Sequence, residues 1–350
     1  IKECPQGAKQ YRNDLEKAIR LLKEPFPVAV SLAPSFAAFF TKSERQRLPS
    51  ALRKLGFAHV SETSIGAHPV AMASLKKKFV DRSSICTACP AAVSFIRKYV
   101  PELTDNLLPV ASPMLAHAAI IRKKIGEGAR VVFIGPCIAK KQEADSSEAL
   151  QKIDCALTFR ELTEWFEREN IRLDRLEESP FDDQPDGQAR FFPLPGGLTR
   201  TASMGSDSLI GDIVAVSGHA EFRKILEVIE KSRVKMFVEP LFCSQGCING
   251  PGAPENSQLF ENRREVIDFA EQHPGSETVK HEADEIVDAS YKPEKAPEET
   301  VEITEEAINR VLAATGKTSP ADELNCGACG YDSCRDKAIA VIRGFAEIDM

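Results

Sequence analysis

The chain has 350 residues, a formal net charge of −7, 43% hydrophobic residues and 28% charged residues. That length holds two packed lobes with appendages, and the composition suits a globular protein rather than a fibrous or disordered one. There is no long basic patch, no apolar run near the ~20 residues of a membrane span, and no signal peptide, so the expectations are no nucleic acid, no membrane and a cytoplasmic location.

After Cys4-Pro5 a helical pattern, AKQYRNDLEKAIRLLKE, runs to Pro25. VAVSLA (Val28–Ala33) is a short apolar run between breakers and predicts a buried strand. SERQRLPSALRKLG is amphipathic and stops at Gly56, and AHVSET predicts a second strand. Further strands are expected at Arg130–Gly135, Asp154–Phe159, Asp212–Gly218 and Val234–Glu239. Helices are expected over 91–98, 139–151, 160–169 and 219–231. Such alternation predicts α/β layering with parallel sheets. From Glu271 the chain turns acidic and proline-bearing, as a linker or extended arm does. A short helix, TEEAINRVLAATG, stops at Gly316 before a compact tail. Ile1 opens the sequence and Met350 ends it inside a helical run, so the chain reads as a slice of a longer one.

The ten cysteines are many for a chain without a signal peptide, which points to metal or redox chemistry rather than disulfides. Cys89 directly precedes Pro90, so it stands at a helix N-terminus, where a thiolate is favoured. Cys137 ends a strand, and Lys140 follows three residues on, on the same helical face. Cys243 and Cys247 stand four apart on one face of a turn, and Gly246 and Gly250 leave room for a bulky group. Four thiolates from three distant segments suit an iron–sulfur cluster or a zinc site, and the spacing alone leaves both open. One close pair with widely separated single cysteines favours a cluster set between lobes.

These segments resemble the signature motifs of the iron-only (FeFe) hydrogenase catalytic domain, TSCCPxW, MPCxxKxxE and ACxxGCxxGGG. Here they stand as Thr87-Ala88-Cys89-Pro90, as Gly135-Pro136-Cys137 with Lys140 and Glu143, and as Phe242-Cys243 with Gly246-Cys247 and Gly250. SLAPSF, Ser31–Phe36, resembles an early stretch near that family's active site and puts Ala33, Pro34 and Ser35 beside the cofactor. The resemblance implies a two-lobed α/β domain with a small parallel sheet in each lobe and the cluster in the cleft. It also implies an H-cluster, a 4Fe–4S cubane joined to a two-iron subcluster with carbonyl, cyanide and a dithiolate amine. Cys89, Cys137, Cys243 and Cys247 would hold the cubane, and Cys247 would bridge to the two irons. Lys140 would donate to a cyanide, with Glu143 fixing it.

The chain also departs from the pattern. Ala88 stands where the family has a proton-relaying cysteine, the expected relay acids fall near Ala73 and Ser74, and Gly135 replaces a methionine. Fast turnover needs a positioned proton donor. These departures resemble the sensory branch and imply slow, reversible dihydrogen chemistry with a dihydrogen-sensing role. The implied partners are dihydrogen and protons, a ferredoxin-type electron donor or acceptor, and a downstream signalling domain or protein. The alternative is a non-catalytic iron–sulfur scaffold or electron-transfer protein without the two-iron site, like the cytosolic iron–sulfur assembly relatives. Cys86, three residues before Cys89, is a substitute proton carrier or an inert thiol.

Cys326, Cys329 and Cys334 have the CxxCxxxxC spacing of a small 4Fe–4S domain, whose fourth cysteine would fall at position 351. ECPQGAK resembles the last Cys-Pro of a two-cluster ferredoxin. The expected organisation is a ferredoxin-like end with a connecting helix at 1–25, the catalytic domain at 26–271, the acidic linker and short helix at 272–318, and a truncated 4Fe–4S domain at 319–350. Cys155 reads as a buried packing residue. Gly196-Gly197 reads as a turn or a close approach to the cofactor, and His68 and His219 as hydrogen-bonded or surface residues or as proton carriers.

Overall fold

The computed structural model of the chain describes residues 10–146, 153–185, 188–203, 212–231, 234–254, 258–274, 287–294, 303–327, 329–346 and 348. Cys4, residues 147–151 of the expected helix and most of the acidic segment lie outside these. Two compact units form: Arg12–Pro293, and Ile1–Tyr11 with Glu294–Met350.

In the larger unit the elements run α1 (Leu15–Leu21), β1 (Val28–Leu32), α2 (Lys42–Leu55), β2 (His59–Glu62), α3 (Ser64–Lys76), β3 (Ser84–Ile85), α4 (Pro90–Tyr99), α5 (Pro113–Ile125) and β4 (Arg130–Gly135). Next come α6 (Ala139–Asp145), β5 (Cys155–Thr158), α7 (Phe159–Arg168), α8 (Gly197–Thr201), β6 (Ile213–Ser217), α9 (His219–Lys231), β7 (Phe237–Leu241) and α10 (Leu259–Gln272). The smaller unit holds α11 (Glu305–Ala314) and α12 (Cys334–Ile342), packed through Ile308, Leu312 and Ala338.

Two parallel sheets organise the larger unit. One has the order β2-β1-β4-β5, the other β3-β7-β6. Val30 pairs with Val60 on one side and Val132 on the other, so β1 is central and covered on both faces. Phe36, Leu48, Phe159 and Trp165 pack around the first sheet, and Ile85, Ile96, Phe222 and Leu226 around the second. Thr41 and Thr158 open α2 and α7 with capping boxes to Glu44 and Glu161.

The strand directions place the site. The carboxyl ends of β1, β2, β4 and β7 run into Ala33-Pro34-Ser35, Thr63, Pro136-Cys137 and the Cys243–Cys247 turn. The end of β3 leads through Cys86 to Cys89 at the start of α4. In open parallel sheets the crevice beyond the strand carboxyl ends is where ligands bind.

Three expectations shift. The first helix begins at Leu15 rather than near Ala8, because Asp14 turns its carboxylate to Lys141 and Arg12. The strand expected at Val234–Glu239 runs from Phe237 to Leu241. Part of the acidic arm is packed rather than free: Val287 is buried, Asp288 pairs with Val110, and the Tyr291 hydroxyl donates to Val110 O at 2.8 Å. Helices α3, α5 and α10 answer to no sequence expectation. The first two are buried on most sides and carry apolar residues all round, so no periodic contrast marks them.

Lys141 ties α6 to the first sheet. Its ammonium donates to Asp14 at 3.0 Å, Glu161 at 2.9 Å and Ala156 O at 2.9 Å, and all three charged side chains are buried. Burial would raise the Asp14 carboxyl, but hydrogen bonds from Arg12 and Lys141 overcome it and lower it. Lys141→Met takes the ammonium from two buried carboxylates, of which Arg12 still holds Asp14, and is expected to cost about 3 kcal/mol. Urea denaturation with unchanged slope checks this, and a loss under about 1 kcal/mol contradicts it.

Candidate metal centre

Cys89 caps α4, with Pro90 at the first helical position. Cys137 follows Pro136 at the end of β4. The Cys243–Cys247 turn closes over both: Gly252 N donates to Pro136 O at 2.8 Å and Cys247 N to Pro193 O at 2.8 Å. Gly246 has φ +87°, and a Cβ there would lie 2.3 Å from Pro193 O, so only glycine fits between the two cysteines.

The four thiols face one another. Burial, then the neighbouring Cys89, push the Cys137 thiol up to about 11 from an ordinary 9.0, and Lys140 partly offsets this. Burial, then Cys137, Cys89 and Cys243, push Cys247 up as well. Among the described residues, no three His, Cys, Asp or Glu side chains converge tightly enough for a single metal ion. Tetrahedral zinc, with Zn–S near 2.3 Å, needs sulfurs within about 4 Å of one another. The mutual repulsion of Cys89, Cys137, Cys243 and Cys247 suits a group that takes all four as thiolates, as an iron–sulfur cluster does.

Beside them lies a cavity of about 90 Å³, lined by Cys89, Cys137, Cys247 and Lys140 and also by Ala33, Pro34, Ser35 and Ala88. Cys243 and Glu143 do not line it. Lys140 is buried, and its ammonium donates to Ser112 Oγ at 2.8 Å and Glu143 Oε2 at 2.7 Å. Ser35 Oγ is buried without a hydrogen-bond partner. A hydroxyl left so costs about 1–3 kcal/mol unless a ligand atom meets it. The cavity therefore leaves room for a further group beside Cys89, Cys137 and Cys247, with Lys140 and Ser35 as its polar contacts.

Gly135 answers to packing. A Cβ there would stand 2.7 Å from both Ala33 Cβ and the Phe133 ring, and that ring lines the cavity. Phe133 thus takes the space that a larger residue at 135 would need. Gly196 and Gly197 form the turn into α8 and do not line the cavity. Nor do His68, on α3, and His219, whose ring lies beside Phe242. Cys86 is buried outside the cavity, its thiol pushed up by burial and then by Glu239. Glu239 is itself buried, is raised by burial, and accepts from Leu198 N and Thr199 N at 3.0 Å.

Sequence reasoning missed Ser112, Phe133 and Glu239. Ser112-Pro113 is a helix-start signal that would have located the first. The other two sit in strands, where nothing local marks them.

In the smaller unit Cys334 opens α12 behind the Ser333 cap, and its N–H donates to Asn325 Oδ1 at 2.8 Å. Cys326 is exposed, while Cys329 and Cys334 are half-buried.

The family model described as iron only hydrogenase large subunit, C-terminal domain, matches residues 26–251, and the chain belongs to that family. A second model, for an Fe–S cluster, matches residues 322–350. The chain is thus an iron–sulfur protein related to the FeFe-hydrogenases. It is 25% identical over 333 residues to the NADP-reducing hydrogenase subunit HndD of Solidesulfovibrio fructosivorans, covering 75% of this chain and 57% of that one. It is 32% identical over 77 residues to the cytosolic Fe–S cluster assembly factor NAR1 of Kluyveromyces lactis, 22% of this chain and 16% of that one. The chain spans about half the length of the curated hydrogenases it matches. A variant of FeFe-hydrogenase HydA1 from Chlamydomonas reinhardtii superposes with a TM-score of 0.61 at 18% identity, covering 81% of this chain and 99% of that one, which is a likeness of fold. No helix among the described residues is long and apolar enough to cross a membrane.

Burial holds Cys155, and then Asp14 helps hold it, at about 12, and raises Cys86 too. In metal-free native protein at pH 8, iodoacetamide is expected to label exposed Cys326 and spare both. Mass spectrometry of the alkylated peptides checks this. Labelling of Cys86 or Cys155 at the rate of Cys326 contradicts it.

Proposed function

We propose that the chain holds an H-cluster and carries out slow, reversible interconversion of dihydrogen with protons and electrons, in a dihydrogen-sensing role. Cys89, Cys137, Cys243 and Cys247 would hold the cubane, and Cys247, which lines the cavity, would be its link to the two-iron subcluster. When bound, that group supplies the metal chemistry of dihydrogen cleavage and formation. Lys140, fixed by Glu143 and Ser112, would offer its buried ammonium to a cyanide of that group, and Ser35, whose hydroxyl is unpartnered, lines the same cavity with Ala33 and Pro34. Ala88 carries no proton, so the usual donor is missing and turnover is low. Electrons exchange with a ferredoxin-type partner. Cys326, Cys329 and Cys334 contribute to a second 4Fe–4S cluster, and a downstream domain or protein reads the state.

One observation carries the reading: a buried lysine and an unpartnered buried hydroxyl line one cavity with three of the cysteines. A cubane alone needs neither. An iron–sulfur scaffold or electron carrier without the two-iron site is the second reading, favoured by the likeness to the assembly factor.

The test is an infrared spectrum of the anaerobic protein after it is supplied with the cubane and a synthetic two-iron cofactor. Sharp carbonyl and cyanide bands that shift under dihydrogen are expected, with a low evolution rate. Lys140→Met is expected to keep the visible absorbance of the cubane and lose the bands. Absence of bands in the parent protein, with the cubane present, leaves the scaffold reading.

A further inference from the structure

Strand β2 is the edge strand of the first parallel sheet, paired with β1, whose own run is apolar but for Ser31. The alternate positions of β2 instead read His59, Ser61 and, just past its end, Thr63. All are buried. Ser61 pairs in register with Ser31 of β1, and α5 brings His117, fully buried, over both.

These groups are joined. Thr63 Oγ1 lies 2.8 Å from Ser31 Oγ, Ser31 Oγ lies 2.8 Å from His117 Nδ1, and His117 Nε2 lies 3.2 Å from Ser61 Oγ. Thr63 lines the cavity beside Cys89, Cys137 and Lys140. The chain has two complete orders of donors. In one, Thr63 donates to Ser31, Ser31 to Nδ1, and Nε2–H to Ser61. In the other, every bond is reversed and the imidazole is the opposite tautomer. A chain that is complete both ways can pass a proton along its length.

The outer end points to solvent. His59 is two residues before Ser61 on the same face of β2, so the row continues toward the surface along the strand. His59 Nε2 lies 2.8 Å from Asp183 Oδ2, and Asp183 is paired with Lys124, whose side chain is 49% exposed. Lys124 sits two turns beyond His117 on α5, so the same helix covers both ends of the row.

We propose that Thr63, Ser31, His117 and Ser61, continued by His59 and Asp183, form a proton wire between the cavity and solvent. It serves where Ala88 leaves no relay, and it rests on the proposed H-cluster reading. Cleavage of dihydrogen yields two protons and two electrons. The two electrons would pass to a ferredoxin-type acceptor. Each proton is taken by the Thr63 hydroxyl, which gives its own to Ser31. Ser31 protonates His117 Nδ1, Nε2–H passes its proton to Ser61, and the Ser61 hydroxyl releases its own outward, toward His59 and Asp183. Rotation of the hydroxyls and a change of imidazole tautomer reset the wire, and proton reduction runs it in reverse.

The test uses the anaerobic full chain loaded with the cubane and a synthetic two-iron cofactor. The readout is the rate at which the carbonyl and cyanide bands shift after mixing with dihydrogen. Ser31→Ala and Thr63→Val are expected to leave the band positions unchanged and slow the shift about 10-fold. Thr63→Ser restores the rate, and Asp183→Asn, at the exposed end, slows it less. A purely structural network would move the bands or the stability instead. Unchanged rates with unchanged bands overturn the wire and spare the H-cluster reading. Absence of bands in the parent overturns both. Without the two-iron cofactor, ¹⁵N spectra of the histidines are expected to show His117 exchanging between tautomers, and one frozen tautomer overturns the wire.

Discussion

Four sulfurs held close together in a buried cleft set the terms for this protein. Burial and mutual repulsion both oppose their ionisation, as the raised Cys137 and Cys247 thiols show. A cationic metal group held by the four would offset that cost. The rest of the larger unit serves the convergence: two parallel sheets direct the carboxyl ends of five strands toward one crevice. The turn carrying two of the cysteines is tied by backbone hydrogen bonds to Pro136 and Pro193. Lys141 anchors the helix of Lys140 to the first sheet, so the lysine facing the cavity stands on a fixed base.

Much of this was legible in the residues. Cys89 before a helix-starting proline and Cys137 at the end of an apolar run each mark a strand-to-helix junction, and so read without tertiary information. The Lys140–Glu143 pair followed from helical spacing. What escaped was fixed by packing at long range. Helices α3 and α5 are apolar on most faces and show no stripe. His117 sits in one of them, and its partners Ser31 and Ser61 lie 86 and 56 residues away. The imidazole was missed, although His68, on the equally apolar α3, and His219 drew attention. The packed segment around Val287 and Tyr291 was hidden for the opposite reason: its acidic, proline-bearing surroundings read as solvent-facing throughout.

The departures from the family pattern take on physical sense together. Gly135 makes room for the Phe133 ring, which narrows the cavity from the first sheet's side. Ala88 removes a thiol from the cavity wall. On the proposed reading, chemistry at the metal continues under a different proton supply, slower and drawn from the polar row on β2.

The most direct measurement is electron paramagnetic resonance of the reduced, iron-reconstituted protein and of its single Cys→Ala variants. The account predicts that replacing Cys89, Cys137, Cys243 or Cys247 abolishes one and the same cluster signal. Replacing Cys86 or Cys155 leaves that signal intact. Persistence of the signal without any one of those four cysteines would contradict a single shared cubane.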